Sequence, residues 1–364
     1  MIEVRQGDAA QPARAALSTR LRIVNCAEIA DPDWTFLEAP LRDLAVDWSF
    51  FHAREPSSHS GGRHSMGLAR LRATWSAARC AAGNSGAVVI SHLPKTTMWL
   101  AIFCRLLSVR ATHIAFAFNF TRLPTGFYRT LMRWAFKGVD RFVVFSTAER
   151  ACYAAYFGID AHRIDFMPWE MPPPTSEGPP IVTGPYICAV GGEGRDYGTL
   201  IEAVRHTPDI PLVIVTRSYS IPHGTLPDNV TLFTELRSSD YWNVVQHAHF
   251  AVLPLLDDQT NCGHITLVGA LLLERPIIAS RSVGIDDYVQ ANVNALIVNP
   301  GAPEALRAAI RRLWDEPALR QRLHQTISAA TRESGGESRW AEYFRHLFKE
   351  SLNSASKEPA RLNK

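Results

Sequence analysis

A chain of 364 residues is long enough for two domains of ordinary size. With 46% hydrophobic and 20% charged residues its composition is globular, which excludes bulk disorder, and a net charge of +3 is too small to point to nucleic acid. Six cysteines are scattered without C-x-x-C or other metal-type spacing, no apolar run is long enough to span a bilayer, and the first residues lack a signal-peptide pattern. The expectation is a cytoplasmic protein with buried thiols.

In chain order, residues before Leu21 are polar and Ala-rich, and 21–27 reads as the first strand. Residues 54–63 are loop by composition, 66–82 has helical spacing, 87–93 is an apolar strand and 96–107 an apolar helix. A strand at 113–120, a helix at 126–137, a strand at 141–146 and a helix at 148–157 continue the alternation, which implies a parallel, doubly wound sheet. The Pro-rich run 168–180 then marks a domain boundary.

The second half repeats the pattern, with strands at 186–190, 212–216, 230–233, 250–255, 276–280 and 295–298. Helices fall at 199–206, 241–248, 265–273, 303–314 and 317–330, and Gly335-Gly336 precede a last amphipathic helix at 338–351. The expected division is a Rossmann-like domain at 1–170, a linker at 171–183, a second Rossmann-like domain at 184–334 and a returning helix at 335–364.

Two loops in the second half have the make-up of an anion site. Gly191-Gly192-Glu193-Gly194-Arg195-Asp196 joins a strand to a helix; its glycines let backbone N–H groups approach a phosphate, and Arg195 offers it two hydrogen bonds. The polar loop 257–263 follows the strand closed by Pro254, and Thr260 or Asn261 is placed to cap the next helix. Free N–H groups at that helix start, around Gly263, His264, Ile265 and Thr266, favour an anion; the plain alternative is a connection without a ligand. Asp257-Asp258 reads as a solvated loop and not as a metal site. Arg217 ends a strand on the same side, and Glu235-Leu236 follow the short strand 230–233.

Residues 253–288 resemble the donor-binding segment of retaining GT-B glycosyltransferases of the family-4 type. Gly263, the strand Pro276-Ile277-Ile278-Ala279-Ser280, Gly284 and Asp286-Asp287-Tyr288 carry the likeness. The family's two glutamates fall on Asn261 and Gly269, so the donor-sugar contact is left to an amide and the ribose contact has no side chain. The resemblance implies an α/β fold of two Rossmann-like domains facing each other across a cleft. It implies Arg195 and Asn261 at the reacting centre, Gly191, Gly192 and Thr260 near the diphosphate, and Glu235 and Leu236 holding the base unless they are a plain connecting loop; Arg217, from its strand end, either adds positive charge there or is a plain surface residue. It needs no cofactor or metal: a nucleotide diphosphate sugar is the donor substrate.

In the first half, Asn119, Thr121 and Arg122 end a strand facing the cleft, Asn119 near where many relatives carry His, and His92 is placed similarly. Ser146 and Glu149 match a strand-end Ser with an acidic helix start, and also a capping box. Asp286 and Asp287 reach donor hydroxyls or cap a turn, and Trp169-Glu170 enter the hinge. Arg129, Arg133, Lys137 and Arg141 alternate with Phe127, Leu131, Trp134 and Phe136, which suits either a helix with a solvated basic face or one lying on the inner face of the plasma membrane.

The expected function is transfer of a sugar with retention to an acceptor glycan or lipid-linked glycan, in polysaccharide or glycolipid synthesis. The alternatives are a non-catalytic GT-B nucleotide-sugar-binding protein and a nucleotide-sugar epimerase.

Overall fold

A computed structural model describes residues 20–29, 38–54, 63–84, 86–259, 262–333 and 338–357. The first domain is built on β1 (Leu21–Ile29), β2 (Val46–Arg54), β3 (Val88–His92), β4 (Thr112–Phe116), β5 (Arg141–Val144) and β6 (Ile164–Phe166). Its helices are α1 (Arg63–Ala82), α2 (Pro94–Leu106), α3 (Gly126–Phe136) and α4 (Thr147–Phe157). All six strands are parallel, in the order β2-β1-β3-β4-β5-β6. β2 lies in a stretch with no strand expectation: Val46-Asp47-Trp48-Ser49-Phe50 alternates only briefly, and its place at the sheet edge asks for nothing more.

The second domain holds β7 (Ile187–Val190), α5 (Tyr197–Arg205), β8 (Leu212–Thr216), β9 (Val230–Thr234), α6 (Ser238–His247) and β10 (Ala251–Leu253). It continues with α7 (His264–Leu272), β11 (Ile277–Ser280), β12 (Leu296–Val298), α8 (Pro303–Asp315) and α9 (Pro317–Glu333). Strand order is β12-β11-β10-β7-β8-β9, again all parallel. The chain therefore moves outward from β7 through β8 to β9, then returns to start afresh with β10 on the other side of β7. β7 and β10 thus flank the switch point of the sheet, where open α/β sheets form a ligand crevice at the strands' carboxyl ends. β7, β8 and β11 are buried throughout, as the apolar runs of a covered parallel sheet require.

α10 (Arg339–Lys357) crosses back onto the first domain. Trp340, Phe344 and Phe348 recur every fourth residue and so share one helix face. All three are buried in the same cluster as Ile23, Ile90, Phe116 and Phe145 from β1, β3 and the ends of β4 and β5. Each such burial contributes roughly 2–3 kcal/mol, so the last helix ties the domains together. Between β6 and β7 the connector carries no helix or strand, and Asn243 of α6 pins it by accepting from Ile181 N (3.0 Å) and donating to Pro179 O (3.2 Å).

Candidate functional site

The Arg195 side chain spans the crevice between β7 and β10. Arg195 donates from Nε to Val190 O (3.2 Å), from Nη1 to Glu193 O (2.8 Å) and from Nη2 to Thr266 Oγ1 (2.9 Å) on α7. Its backbone pairs with Leu255, and Leu256 N donates to Gly194 O (3.1 Å), so the two loops form one unit. Gly191 suits this turn because it adopts φ 115°, which side-chain-bearing residues rarely take, and a Cβ there would also sit 2.6 Å from Arg195 Nη2. Gly192 is covered the same way by Arg217 Cγ (2.9 Å) and Tyr219 Oη (3.0 Å).

Asp196 and Tyr197, which follow Arg195, both have structural work. Asp196 caps α5, accepting from Thr199 N (3.0 Å) and Thr199 Oγ1 (2.6 Å), while the Tyr197 hydroxyl donates to Gly191 O (2.5 Å).

On the other wall α7 starts at Gly263, which takes the N-cap position with φ 93°. Thr260 and Asn261, the expected caps, lie outside the described residues. Amide N–H groups of His264, Ile265 and Thr266 have no acceptor within the helix, and the helix dipole adds positive potential at this end. The Arg195 guanidinium lies beside it, with Nη1 3.4 Å from where a Cβ of Gly263 would be. A helix start and a guanidinium converging on one crevice make a site for an anion. Cys262 lies against the same group, with Sγ 3.9 Å from Nη1; burial raises its thiol pKa and Arg195 opposes the rise.

The side chains at the helix start do different work from its amides. Thr266 is buried, bonded to Arg195 and to Tyr241 Oη (3.1 Å). His264 is buried between domains, its ring 5.0 Å from Tyr288 and 6.4 Å from Phe145, and burial pushes its imidazole down to about 4. It is a neutral packing group at pH 7, not a phosphate-binding cation. Ile265 and Leu256 are exposed at the rim.

Further out, Arg217 Nη1 is paired with Glu235 Oε2 (3.1 Å), and Glu235 also accepts from Ser218 N (2.9 Å), which helps hold its carboxyl below the usual range. Glu235 adopts φ 54°, a left-handed conformation that turns the chain sharply after β9. Leu236 packs against the core beneath.

First-domain candidates separate into two kinds. Asn119 and Arg122 follow β4, with Arg122 exposed and Asn119 half-buried, and among the described residues neither side chain is bonded to the second domain. His92 is corrected from cleft to core: it is buried, its Nε2 lies 2.5 Å from Asn25 Oδ1 and its ring packs edge-on against Phe116. Ser146 and Glu149 form the capping arrangement, with Glu149 N donating to Ser146 Oγ (3.1 Å) and Phe145 N to Glu149 Oε2 (3.0 Å).

Asp287 crosses between domains. Its Oδ2 accepts from Thr147 N (2.8 Å) and its Oδ1 from Thr147 Oγ1 (2.9 Å), at the start of α4. Next to it the Tyr288 hydroxyl donates to Phe145 O (2.6 Å) and accepts from Trp169 N (2.8 Å). Asp287 therefore caps a helix of the opposite domain, a role that no local pattern discloses.

Gly269 has a packing reason. A Cβ there would lie 3.0 Å from Trp242 Cζ2 and closer still to two other atoms of that ring. The buried indole occupies the space of any side chain at 269. Among the described residues no group of three His, Cys, Asp or Glu that could hold a metal ion is present.

The family described as glycosyl transferases group 1 matches residues 197–316, from α5 to the end of α8. No curated protein matches the chain by sequence. Among solved structures, Anabaena HepE in complex with UDP-glucose superposes with a TM-score of 0.67 at 12% identity, covering 92% of this chain and 100% of its own. Sucrose-phosphate synthase from Thermosynechococcus elongatus gives 0.66 at 16% identity, with 92% and 100% covered. A glycosyltransferase from Rickettsia africae gives 0.65 at 12%, with 92% and 99% covered. The fold of the chain is thus that of GT-B glycosyltransferases, and residues 197–316 are similar to the group 1 glycosyl transferases.

Proposed function

We propose that the protein transfers a sugar from a nucleotide diphosphate sugar to an acceptor hydroxyl with retention. The observation that carries the reading is the meeting of Arg195 with the amino end of α7 at the crevice between β7 and β10. As the glycosidic bond breaks, the leaving diphosphate gains negative charge, and donors already fixed around it lower that barrier. Arg195 supplies a charged donor held in place by three internal bonds, and the first amides of α7 supply neutral ones. Arg217 adds positive charge toward the diphosphate, Glu235 and Leu236 frame the base, and Asn261 takes the place of the family's sugar-binding carboxylate. Asn119 and Arg122 line the acceptor side, and contact of the domains limits donor hydrolysis by water.

HepE binds UDP-glucose, so uridine nucleotides are the first donors to test. The acceptor is a glycan or lipid-linked glycan, and the work is done in the cytoplasm at a membrane face. A non-catalytic nucleotide-sugar-binding protein is the second reading, favoured by Asn261 and Gly269 where the family carries glutamates. Incubation of purified protein with nucleotide sugars and simple glycoside acceptors separates the two. Product with the donor's anomeric configuration supports retaining transfer, an inverted product removes retention, and saturable binding without turnover selects the second reading.

A further inference from the structure

Residues 56–139 contain eleven Lys and Arg and no Asp or Glu. A chain whose total is only +3 thus concentrates its positive charge in one stretch and is acidic elsewhere. The described part of that stretch, which includes α1, α2 and α3, forms a surface. α1, α2 and α3 pack side by side on one face of the first sheet, opposite the face covered by α10. On α1, Leu68, Arg72, Trp75 and Arg79 recur at spacings of four and three and so share the outward side. Trp75 meets Phe103 of α2 edge-on at 5.3 Å, and Arg105 of α2 lies over the Trp134 ring of α3 at 4.5 Å, which makes the outward sides continuous.

The surface is also apolar to a degree that solvent does not favour. Leu106 is 67% exposed and Phe127 77%, with Leu68, Trp75, Tyr128 and Trp134 exposed as well. Among the described residues Arg72, Arg79, Arg105, Arg133 and Lys137 have no carboxylate partner, whereas Arg70 is paired with Glu28 and Arg129 is turned onto the Tyr156 ring. Cations without counter-charges interleaved with exposed Trp, Phe and Leu match the two layers of an anionic bilayer, charge to headgroups and rings to the acyl boundary. A polyanion in water needs the cations and gains nothing from Leu68 or Leu106.

We infer that the outer face of α1–α3 docks the protein on an anionic lipid surface. This does not rest on the donor site, and its test reads binding alone. Full-length protein is sedimented with phosphatidylglycerol vesicles, with phosphatidylcholine vesicles and with a polynucleotide, at low and high salt. Wild type is expected to pellet with phosphatidylglycerol at low salt and to stay in the supernatant with phosphatidylcholine. Arg72→Glu/Arg105→Glu/Lys137→Glu, one change in each part of the face, should raise the lipid concentration for half-binding by about a hundredfold or more. The same charge change in the second domain, Arg237→Glu/Arg312→Glu/Arg322→Glu, should raise it by less than threefold, about the effect of net charge alone. Phe127→Ser/Tyr128→Ser should release the protein at a lower salt than wild type. Failure to pellet with phosphatidylglycerol, binding to the polynucleotide but not to vesicles, or equal effects of the two triple variants would each overturn the assignment.

Discussion

Gly284 and Ser146 touch across the two domains so closely that a methyl group at 284 would overlap Cβ and Oγ of Ser146. Gly284 has φ 84°, and the turn it opens carries Asp287 onto Thr147 and Tyr288 onto Phe145. The resemblance in Gly284-Ile285-Asp286-Asp287 thus maps to a contact that sets how the domains meet.

Gly284→Ala should therefore separate the domains while leaving each folded. Part of its cost is local, since Ala at positive φ is strained by about 1 kcal/mol. Ser146→Gly removes the opposing atoms and weakens the α4 cap by only a few tenths of a kcal/mol. The double variant should regain much of the compaction and activity that Gly284→Ala loses, read by small-angle scattering and turnover. A double variant no better than Gly284→Ala contradicts the steric account.

Acid should destabilise the fold through buried histidines. Burial lowers His264 to about 4, and His92 and His113 to about 3. A histidine buried neutral binds fewer protons folded than unfolded, so stability is complete above about pH 6.5 and falls as pH drops toward the folded value. Each contributes a slope of about 1.4 kcal/mol per pH unit in that window. Urea unfolding at pH 7, 6 and 5 should show the decline, and His113→Gln should reduce its slope by about one proton; a flat profile would show that these rings charge without cost.

Gly269→Glu should not create a ribose contact. The Trp242 indole fills the space, so the carboxylate must displace a buried ring, and overpacking with a charge costs at least about 3 kcal/mol. A lowered melting temperature with no gain in nucleotide affinity is expected. A stable Gly269→Glu protein that binds ribonucleotides more tightly than 2′-deoxyribonucleotides would show that the indole yields.

Much of the architecture was legible from the sequence because buried parallel strands leave continuous apolar runs, as at Ile187–Val190 and Leu212–Thr216. The loop before α5 was legible because Gly191, at φ 115° beside Arg195, answers a local need, whereas Gly192 answers to Arg217 and Tyr219 farther along the chain. What escaped depends on partners far along the chain. β2 is an edge strand with little pattern of its own, His92 reads as a cleft residue until Asn25 and Phe116 close over it, and Gly269 is explained only by Trp242. Asp287 reads as a donor contact or as the cap of a local turn, and neither shows that its partner is Thr147 of the other domain.

The central claim is that a nucleoside diphosphate sits between Arg195 and the amino end of α7. The direct measurement is calorimetric titration of wild type, Arg195→Ala and Thr266→Val with UDP and GDP. Thr266→Val removes one brace of the guanidinium but keeps its charge, so it separates loss of position from loss of the cation. Wild type should bind one of the two, Arg195→Ala should lose about 2 kcal/mol or roughly thirtyfold, and Thr266→Val should lose much less. Equal affinity of wild type and a folded Arg195→Ala protein, or no binding of either nucleotide by wild type, would contradict the account.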